Sequence, residues 1–297
     1  MLTYFILFIL LFTSCSSSSG STSVEPSATA YAPLTFISDL HDDVVETSGL
    51  LNIDGRLYTH NDSGDSALLY ELNATTGDIV RRVIVNGADN VDWEDVAYGD
   101  RHIYIADSGN NMGSRTDLKI YKILKSDLNA SNSVDAQEIS FSYAEQTIFD
   151  YDRYSTPYDA EALIVYDEEL YIFTKNWENR TTKIYKIPTQ AGSYVLESIG
   201  EYTFDVMITG ATVDEQSSLV VLVGYSVVVP YKSMIIKLSD FSQANFFSGT
   251  ISTYEIINTQ GITQIEAIVL TESSEFYLTS EGVNANSAKL YKVELNE

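Results

Sequence analysis

The 297-residue sequence contains a single cysteine, Cys15, which excludes an internal disulfide bond and a metal site built from several thiolates. Basic residues are also scarce: 17 Lys and Arg stand against 42 Asp and Glu, for a formal charge of −25. Nucleic acid is not expected as a partner, because binding it requires a clustered basic surface that neutralises phosphates. The same charge balance argues against electrostatic docking on anionic lipid.

Motifs for several common chemistries are missing as well. The sequence has no Gly-x-Ser-x-Gly elbow, no phosphate-binding glycine loop and no His-Glu-x-x-His helix. The three histidines, His41, His60 and His102, are too scattered to assign as a triad or a zinc site. Only His60, next to Asn61-Asp62, is of interest.

The N-terminal residues are typical of an exported chain. The run from Leu2 to Phe12 is apolar but too short for a comfortable membrane span, and it ends in small residues before Cys15. This boundary resembles the lipobox of bacterial lipoproteins, in which the cysteine is acylated; the alternative is a plain signal peptide with an incidental cysteine. We expect a lipoprotein signal peptide at 1–14, a Ser-rich tether at 15–30 and one folded domain at 31–297. The implied location is a bacterial membrane surface outside the cytoplasm, reached through a lipid at Cys15.

The domain consists of a repeat rich in β-forming residues. With 44% hydrophobic residues, 21 Tyr and only 5 Pro, the composition favours strands around a sizeable core. One strand pattern recurs five times, and each copy follows two further strands in the same order. The recurring strands are Leu68–Leu72, Lys119–Ile123, Lys183–Ile187, Met234–Leu238 and Lys289–Val293.

This spacing, about fifty residues per unit, predicts an all-β fold, a five-bladed β-propeller. A fourth strand follows most of the recurring strands, for example Asp78–Val85 or Tyr194–Phe204, but the chain ends before one can follow the fifth. We therefore expect Leu34–Leu40 to supply the outer strand of the last blade and to close the ring. A β-sandwich with extra hairpins is the alternative, but it does not explain the repeated strand order.

The first strand of each blade lines the central channel, so equivalent positions on these strands converge on one axis. Counting back from the second strands aligns Ser48, Glu94, Glu161, Gly210 and Glu266, and two positions earlier it aligns Glu46, Asp92, Asp159 and Gln264. Converging carboxylates would repel each other unless a cation joins them, and oxygen ligands suit calcium. The alignment predicts an axial Ca²⁺ site held by the first set and supported by the second. Alternatively, the glutamates cap strand ends or face a wet channel separately.

The segments Thr47–Leu50 and Asp92–Glu94 resemble the first two blades of calcium-activated nucleotidases, the apyrase family. That resemblance implies a five-bladed propeller with one axial calcium held by Ser and Glu positions. Ser48, Glu94, Glu161 and Glu266 match the family pattern. In blade four Gly210 replaces a serine and offers only a backbone carbonyl, unless Thr209 or Thr212 substitutes.

The loops after the second strands supply the catalytic candidates, Asp62, Asp107, Lys175 and Arg115, with Arg180 nearby. Together with a cation, the basic members could hold a phosphate or carboxylate. Equally, the Asp-Ser-Gly loops are typical turns and the arginines suit surface ion pairs. Trp93 and Trp177 suit packing between blades, or stacking on a sugar or base.

Three functions remain open on these residues. No nucleophile with an oriented base can be assembled, which favours a binding or scaffold module with a small-molecule, glycan or protein ligand. The alternatives are a calcium-dependent phosphoanhydride or phosphoester hydrolase and a glycan-active hydrolase. The latter would use a carboxylate pair such as Asp92 with Glu94 or Asp159 with Glu161.

Overall fold

The computed structural model describes residues 30–229, 231–257, 264–272, 275–282 and 286–295. These residues form five antiparallel-based sheets, which confirms the predicted five-bladed β-propeller. The predicted signal peptide, the tether up to residue 29 and Cys15 lie outside the described residues. None of the helices in the described part of the chain is long and apolar enough to cross a membrane.

Each blade contains four antiparallel strands that run outward from the axis. Blade one has β3 (Thr47–Ile53), β4 (Arg56–Asn61), β5 (Leu68–Leu72) and β6 (Ile79–Asn86); blade two has β7 (Trp93–Tyr98), β8 (His102–Asp107), β9 (Lys119–Leu124) and β11 (Gln137–Tyr143). Blade three has β12 (Asp159–Tyr166), β13 (Glu169–Lys175), β14 (Thr181–Ile187) and β16 (Ser198–Thr203); blade four has β17 (Met207–Asp214), β18 (Leu219–Tyr225), β19 (Ser233–Ser239) and β20 (Thr250–Ile257). Blade five has β21 (Ile265–Glu272), β22 (Glu275–Ser280), β23 (Lys289–Glu294) and β2 (Thr35–Asp39); the other elements are β1 (Ala30–Pro33), β10 (Ser133–Asp135), β15 (Gly192–Leu196) and α1 (Lys125–Ala130).

The five inner strands are β3, β7, β12, β17 and β21, and each of them packs against the inner strands of both neighbouring blades. They are almost wholly buried, because both of their faces pack against neighbouring blades. Small residues allow this close approach. A Cβ on Gly210 would lie only 2.4 Å from the carbonyl oxygen of Glu266 in the next blade, so β17 can approach β21 only with glycine there.

The N-terminal strands close the ring, as expected. Strand β2 pairs antiparallel with β23, with Thr35 opposite Lys292, and so supplies the outer strand of blade five. The four residues before it add a second link, because β1 pairs in parallel with β20 of blade four. The start of the domain therefore joins the last two blades and covers both of their outer edges.

Parallel outer strands link other blades in the same way. Strand β10, from the chain of blade two, pairs with β6 of blade one, and β15, from the chain of blade three, pairs with β11 of blade two. The expectation of one strand over Tyr194–Phe204 is therefore wrong. The chain divides near Glu197 into β15 and β16, which belong to two different sheets. Alternation in sequence cannot distinguish two short strands from one long strand when only a sharp turn separates them.

A buried carboxylate connects three inner strands. Asp95, on β7, accepts hydrogen bonds from the amides of Val96 at 2.8 Å and Leu163 on β12 at 2.8 Å. The amide of Ala211 on β17 is its third backbone donor. Burial raises the pKa of Asp95, and these three donors oppose that shift. The side chain thus holds blades two, three and four together from inside the channel.

We expect Asp95→Asn to lower the free energy of unfolding by about 2–3 kcal/mol, because an amide NH₂ would face a buried N–H donor. Chemical denaturation of the purified chain measures this. Asp42→Asn, at an exposed position, is the matched control and should change little. Equal stabilities for the two variants would contradict the assigned role of Asp95.

Candidate functional site

A β-bulge interrupts every inner strand near its start, and the extra residue is re-aimed out of the ladder. In blades two, three and five the register skips Glu94, Glu161 and Glu266. In blade one the skip falls between Thr47 and Leu50, at Ser48-Gly49. The three aligned glutamates are therefore equivalent in structure as well as in sequence.

In blade four the bulged residue is Thr209, and Gly210 is the next residue in the ladder, opposite Val223. The alignment made by counting residues is therefore wrong by one position in blade four: Thr209, and not Gly210, is equivalent to the glutamates. The Thr209 hydroxyl donates to the carbonyl of Ile265 at 2.7 Å, and the Ser48 hydroxyl donates to that of Glu94 at 2.5 Å. Both hydroxyls thus bind the inner strand of the next blade, at the level of the glutamates.

Seven carboxyl groups lie together at this end of the axis. The group, which we call the carboxylate cluster, comprises Asp62, Asp92, Glu94, Asp159, Glu161, Glu266 and Glu281. Two subsets are tight enough for their oxygen atoms to lie within 4.8 Å of one another, Asp62–Asp92–Glu94 and Glu94–Asp159–Glu161. Glu94 belongs to both subsets and is buried.

One ammonium group enters the cluster. Lys175, only 5% exposed, lies 2.7 Å and 2.6 Å from the two oxygens of Glu161. It also donates to the hydroxyl of Tyr225 at 3.2 Å, which in turn accepts from Gln264. Burial alone would lower the pKa of Lys175, but Glu161, Tyr225 and Glu266 outweigh it and raise that pKa well above its usual range. Lys175 therefore neutralises the side of the cluster formed by blades three and five.

Asp62, Asp92 and Glu94 form no ion pair within the described residues; the nearby bases Lys175 and Arg115 pair with Glu161 and Asp107. Burial and the charges of Glu161 and Asp62 raise the pKa of Glu94 well above its usual range. Burial and Asp62 raise the pKa of Asp92 to about 8, and burial and Glu266 raise that of Glu281 to about 9. The pKa of Asp62 is raised less. Burial raises it to about 6, and a hydrogen bond from the Ser63 amide opposes this shift. Without a cation, Asp92 and Glu281 therefore hold protons at neutral pH.

Gly109 leaves the space that this side of the cluster occupies. A Cβ at that position would lie 2.0 Å from a carboxylate oxygen of Glu94 and 2.4 Å from one of Asp92. The backbone of the Asp107–Asn111 loop therefore runs directly against the two carboxyl groups. A glycine in the Asp-Ser-Gly sequence thus has a packing role at the cluster beyond forming a turn.

Asp107 and Arg115 form a support beneath this loop. The Arg115 guanidinium lies 2.9 Å from Asp107, 3.1 Å from Asp117 and 2.9 Å from the carbonyl of Gly109. Asp107 also accepts from the amide of Asp92 at 3.1 Å. Asp107 and Arg115, two of the four predicted catalytic candidates, therefore point into the loop that they hold. They lie beside the cluster and not within it.

Trp177 lies half-buried at the edge of the cluster. Its indole N–H donates to Asp159 at 2.7 Å, Lys175 lies 4.8 Å from its ring centre, and Tyr154 packs at 4.5 Å. The Arg153 guanidinium lies 4.7 Å from the ring centre of Tyr154. The contacts of Trp177 orient Lys175 and Asp159.

Other sequence candidates lie outside the cluster. Glu46 is exposed, and Arg180 reaches the carbonyl of Asp205 away from the axis. Trp93 is buried between blades one and two against His60. His60 accepts from the Gly49 amide through Nε2, so Nδ1 carries the proton that it donates to Asn61, and burial lowers its pKa to about 4. His60 is therefore a neutral packing residue.

Tyr225 and Glu281 belong to the site but were not expected from the sequence. Tyr225 pairs with Met207 just as Lys175 pairs with Asp159, and Glu281 follows β22 as Asp62 follows β4. An alignment of the ends of the second strands, made in the same way as that of the inner strands, would have identified both. Asp95 carried no such signal, because its partners are backbone amides.

Fold and site together define a five-bladed β-propeller with a buried acidic cluster at one end of its axis. No family model and no curated protein matches the chain. Among solved structures, it is similar to a glucose dehydrogenase (10% identity, 87% of this chain and 99% of the other, TM-score 0.46). It is also similar to a putative oxidoreductase (glucose dehydrogenase) from Thermus thermophilus (6%, 88% and 99%, 0.47) and to a mannose phosphorylase from Leishmania mexicana in complex with phosphate ion (10%, 91% and 89%, 0.47). At these TM-scores the likenesses carry no argument about activity.

We expect the chain in the presence of a chelator to lose stability as pH rises from about 5 to about 9. The raised pKa values of Asp62, Asp92 and Glu281 mean that the folded state binds more protons than the unfolded state, whose carboxyls titrate near pH 4. The free energy of unfolding therefore falls with pH across this window. Thermal melts over the pH range measure it.

Asp92→Asn combined with Glu281→Gln should flatten this pH dependence, because the variant removes two of the three titrating groups, those with the higher pKa values. A double variant at exposed positions, Asp42→Asn with Glu197→Gln, is the control. If the cluster variant keeps the slope of the parent chain, the carboxylate cluster is not the source of the pH dependence.

Proposed function

We propose that this protein is a calcium-binding β-propeller that acts as a binding module outside the cytoplasm. The observation that carries the proposal is the imbalance of charge in the carboxylate cluster. Seven carboxyl groups share one buried ammonium, Lys175, and Asp62, Asp92 and Glu94 form no ion pair with a base in the described part of the chain. A divalent cation at that subset would stabilise the charged forms of groups that otherwise stay protonated.

The donor set suits calcium. All the candidate ligands are oxygen atoms, which hard cations prefer. Oxygen atoms within 4.8 Å of one another are compatible with a shared ion, since two ligands facing each other across Ca²⁺ at 2.3–2.6 Å are separated by about that distance. Gly109 keeps the adjacent backbone close to Glu94 and Asp92 without filling the space between them.

The proposed position lies to one side of the axis. The sequence alignment suggested a ring formed by Ser48, Glu94, Glu161, Gly210 and Glu266, but Lys175 already neutralises Glu161 next to Glu266. The hydroxyls of Ser48 and Thr209 donate to backbone carbonyls. We therefore assign the ligands to Asp62, Asp92 and Glu94, with Asp159 as a neighbour. The similarity of the repeat to calcium-activated nucleotidases agrees with a bound calcium and does not extend to their reaction.

Binding is favoured over hydrolysis by the contacts of the basic residues. A phosphoryl-transfer site needs cations that can reach the transferred group. Lys175 is held by Glu161 and Tyr225, and Arg115 by Asp107 and Asp117. A glycan-active hydrolase would need an aromatic ring on which a sugar can stack. Trp177 is the indole at the edge of the cluster, and it already packs against Lys175 and Tyr154.

Calcium is expected to raise the melting temperature of the purified chain, and Glu94→Gln should abolish this shift. Ca²⁺ at 100 times its dissociation constant would stabilise the folded state by about 2.7 kcal/mol. Thermal melts and isothermal titration calorimetry with CaCl₂ measure both effects. Glu94 is chosen because it belongs to both tight subsets.

The matched control is Glu197→Gln, which removes the same charge at an exposed position in blade three. It should retain the full shift. The metal site is ruled out if the parent chain shows neither heat nor a melting shift with Ca²⁺, Mg²⁺ or Mn²⁺. Turnover of nucleoside diphosphates that disappears with chelator would replace the binding module with a hydrolase.

The proposed location rests on the N-terminal sequence, where an apolar run precedes Cys15. Cys15→Ser, expressed in a bacterial host, should lose incorporation of labelled fatty acid and move from the membrane fraction to the soluble fraction. Ser16→Ala is the neighbouring control and should behave as the parent. Membrane association and label that persist in Cys15→Ser would exclude the lipid anchor.

A further inference from the structure

A cavity of about 880 Å³ opens at the end of the axis opposite the carboxylate cluster. It is surrounded by the ends of the inner strands, by the turns that follow them in blades one to four, and by the start of α1. Val96, Leu163 and Ala211, whose amides hold Asp95, line the cavity. The Asp95 carboxylate therefore lies between this cavity and the cluster, and the two ends of the axis are separate sites.

Basic side chains without ion pairs gather at this cavity. Ten of the 17 Lys and Arg residues form ion pairs with carboxylates of the described residues. Arg101, Lys122 and Lys125 form none within the described part of the chain, and all three line the cavity. Such a grouping is notable in a chain with a formal charge of −25, where carboxylates are abundant enough to pair every base.

Backbone and side-chain contacts position Lys122, Lys125 and the turn that carries Arg101. The Lys122 ammonium donates to the carbonyl of Thr189 at 2.9 Å, which fixes it between blades two and three. The amide of Lys125 donates to the carbonyl of Arg101 at 3.0 Å, so the turn that carries Arg101 is tied to the start of α1. The Lys125 ammonium lies 4.7 Å from the ring centre of Tyr98.

The positive groups lie close enough to repel one another. Burial and the charge of Arg101 lower the pKa of Lys122, and burial, Lys122 and Arg101 lower the pKa of His102 beside them. Repulsion of this kind destabilises the empty arrangement, and a bound anion would remove it. Guanidinium and ammonium groups together are the usual protein ligands for carboxylates and phosphates.

Five acidic residues also line the cavity, Asp54, Asp100, Glu168, Asp214 and Glu215, but within the described residues none of them forms an ion pair with Arg101, Lys122 or Lys125. Asp214 accepts from the amide of Gln216 at 3.0 Å and from the hydroxyl of Ser217 at 2.7 Å. Glu215 accepts from the amide of Asp167 at 2.8 Å. These carboxylates are committed to turns of blades three and four, while the bases come from blade two. Their negative charge limits the ligand to a small anion, since a polyanion would meet them as well.

We propose that the cavity is a binding site for a small organic anion, whose carboxylate or phosphate group is held by Arg101, Lys122 and Lys125. The size of the cavity suits a metabolite-sized ligand, and Tyr98 offers an aromatic wall beside the charged groups. This site is independent of the proposed calcium site, from which Asp95 separates it.

The test is calorimetric titration of the purified full chain with inorganic phosphate and, separately, with succinate. Arg101→Gln combined with Lys122→Gln should weaken binding by about tenfold or more, because two charge-assisted contacts are lost. Arg180→Gln combined with Lys237→Gln is the control, since it removes the same charge at sites away from the cavity. Glu94→Gln should bind both anions as the parent chain does.

Saturable binding of phosphate alone would identify a phosphate ester as the ligand class, and saturable binding of succinate alone would identify a carboxylate. Either result supports the site if the Arg101/Lys122 variant loses it and the control keeps it. Absence of saturable binding for both anions, or equal affinity in the Arg101/Lys122 variant and the control, overturns the proposal.

Discussion

The β-bulge at the start of each inner strand is the constraint on which the rest of this molecule depends. A regular strand alternates its side chains between the two faces of its blade, where each must pack against a neighbouring blade. One extra residue releases a side chain from that alternation, and in three blades this residue is a glutamate: Glu94, Glu161 and Glu266. The propeller gains a set of polar groups around its axis without opening the apolar contacts between blades. In the remaining blades the bulged positions carry hydroxyls that bind the next inner strand, so the same device also ties blades together.

Charge compensation at the two ends of the axis differs in kind. At the bulged end, carboxyl groups outnumber bases, and the single ammonium of Lys175 is committed to Glu161. At the other end, Arg101, Lys122 and Lys125 are close together, and neighbouring acids such as Asp214 are engaged in turns. Asp95 lies between these ends, and backbone amides of three blades donate to its carboxyl group. Because backbone amides carry no net charge, these hydrogen bonds span the channel without neutralising the carboxylates at one end or the bases at the other. A carboxylate at this position can therefore be structural while those at the bulged end remain available to a cation.

Much of this architecture was predictable from the sequence, because a repeat presents the same information five times. The third strands, such as Lys119–Leu124, alternate cleanly, and the missing outer strand of blade five pointed directly to the N-terminal residues that form β2. Features that depend on one backbone contact were not predictable. Thr209 occupies the bulge in blade four, but Gly210 is the residue that counting selects, since a bulge changes the register without leaving a mark in composition. The parallel strands β10 and β15 are short additions to a neighbouring sheet, and nothing in their own residues identifies that partner.

Strand register also explains why two similar candidates, Asp62 and Asp107, have different places in the structure. Asp62 and Asp107 occur in similar Asp-Ser-Gly sequences, yet Asp107 is the last residue of β8, whereas Asp62 comes one residue after the end of β4. That single step places Asp107 in the ladder, where Arg115 neutralises it, and places Asp62 beside Asp92. A carboxylate within the ladder acquires a fixed basic partner and becomes part of the scaffold. One residue later it leaves the ladder, has no such partner and remains free to bind an ion. The register of the second strands, more than residue type, thus decides that Asp62 joins the cluster and Asp107 does not.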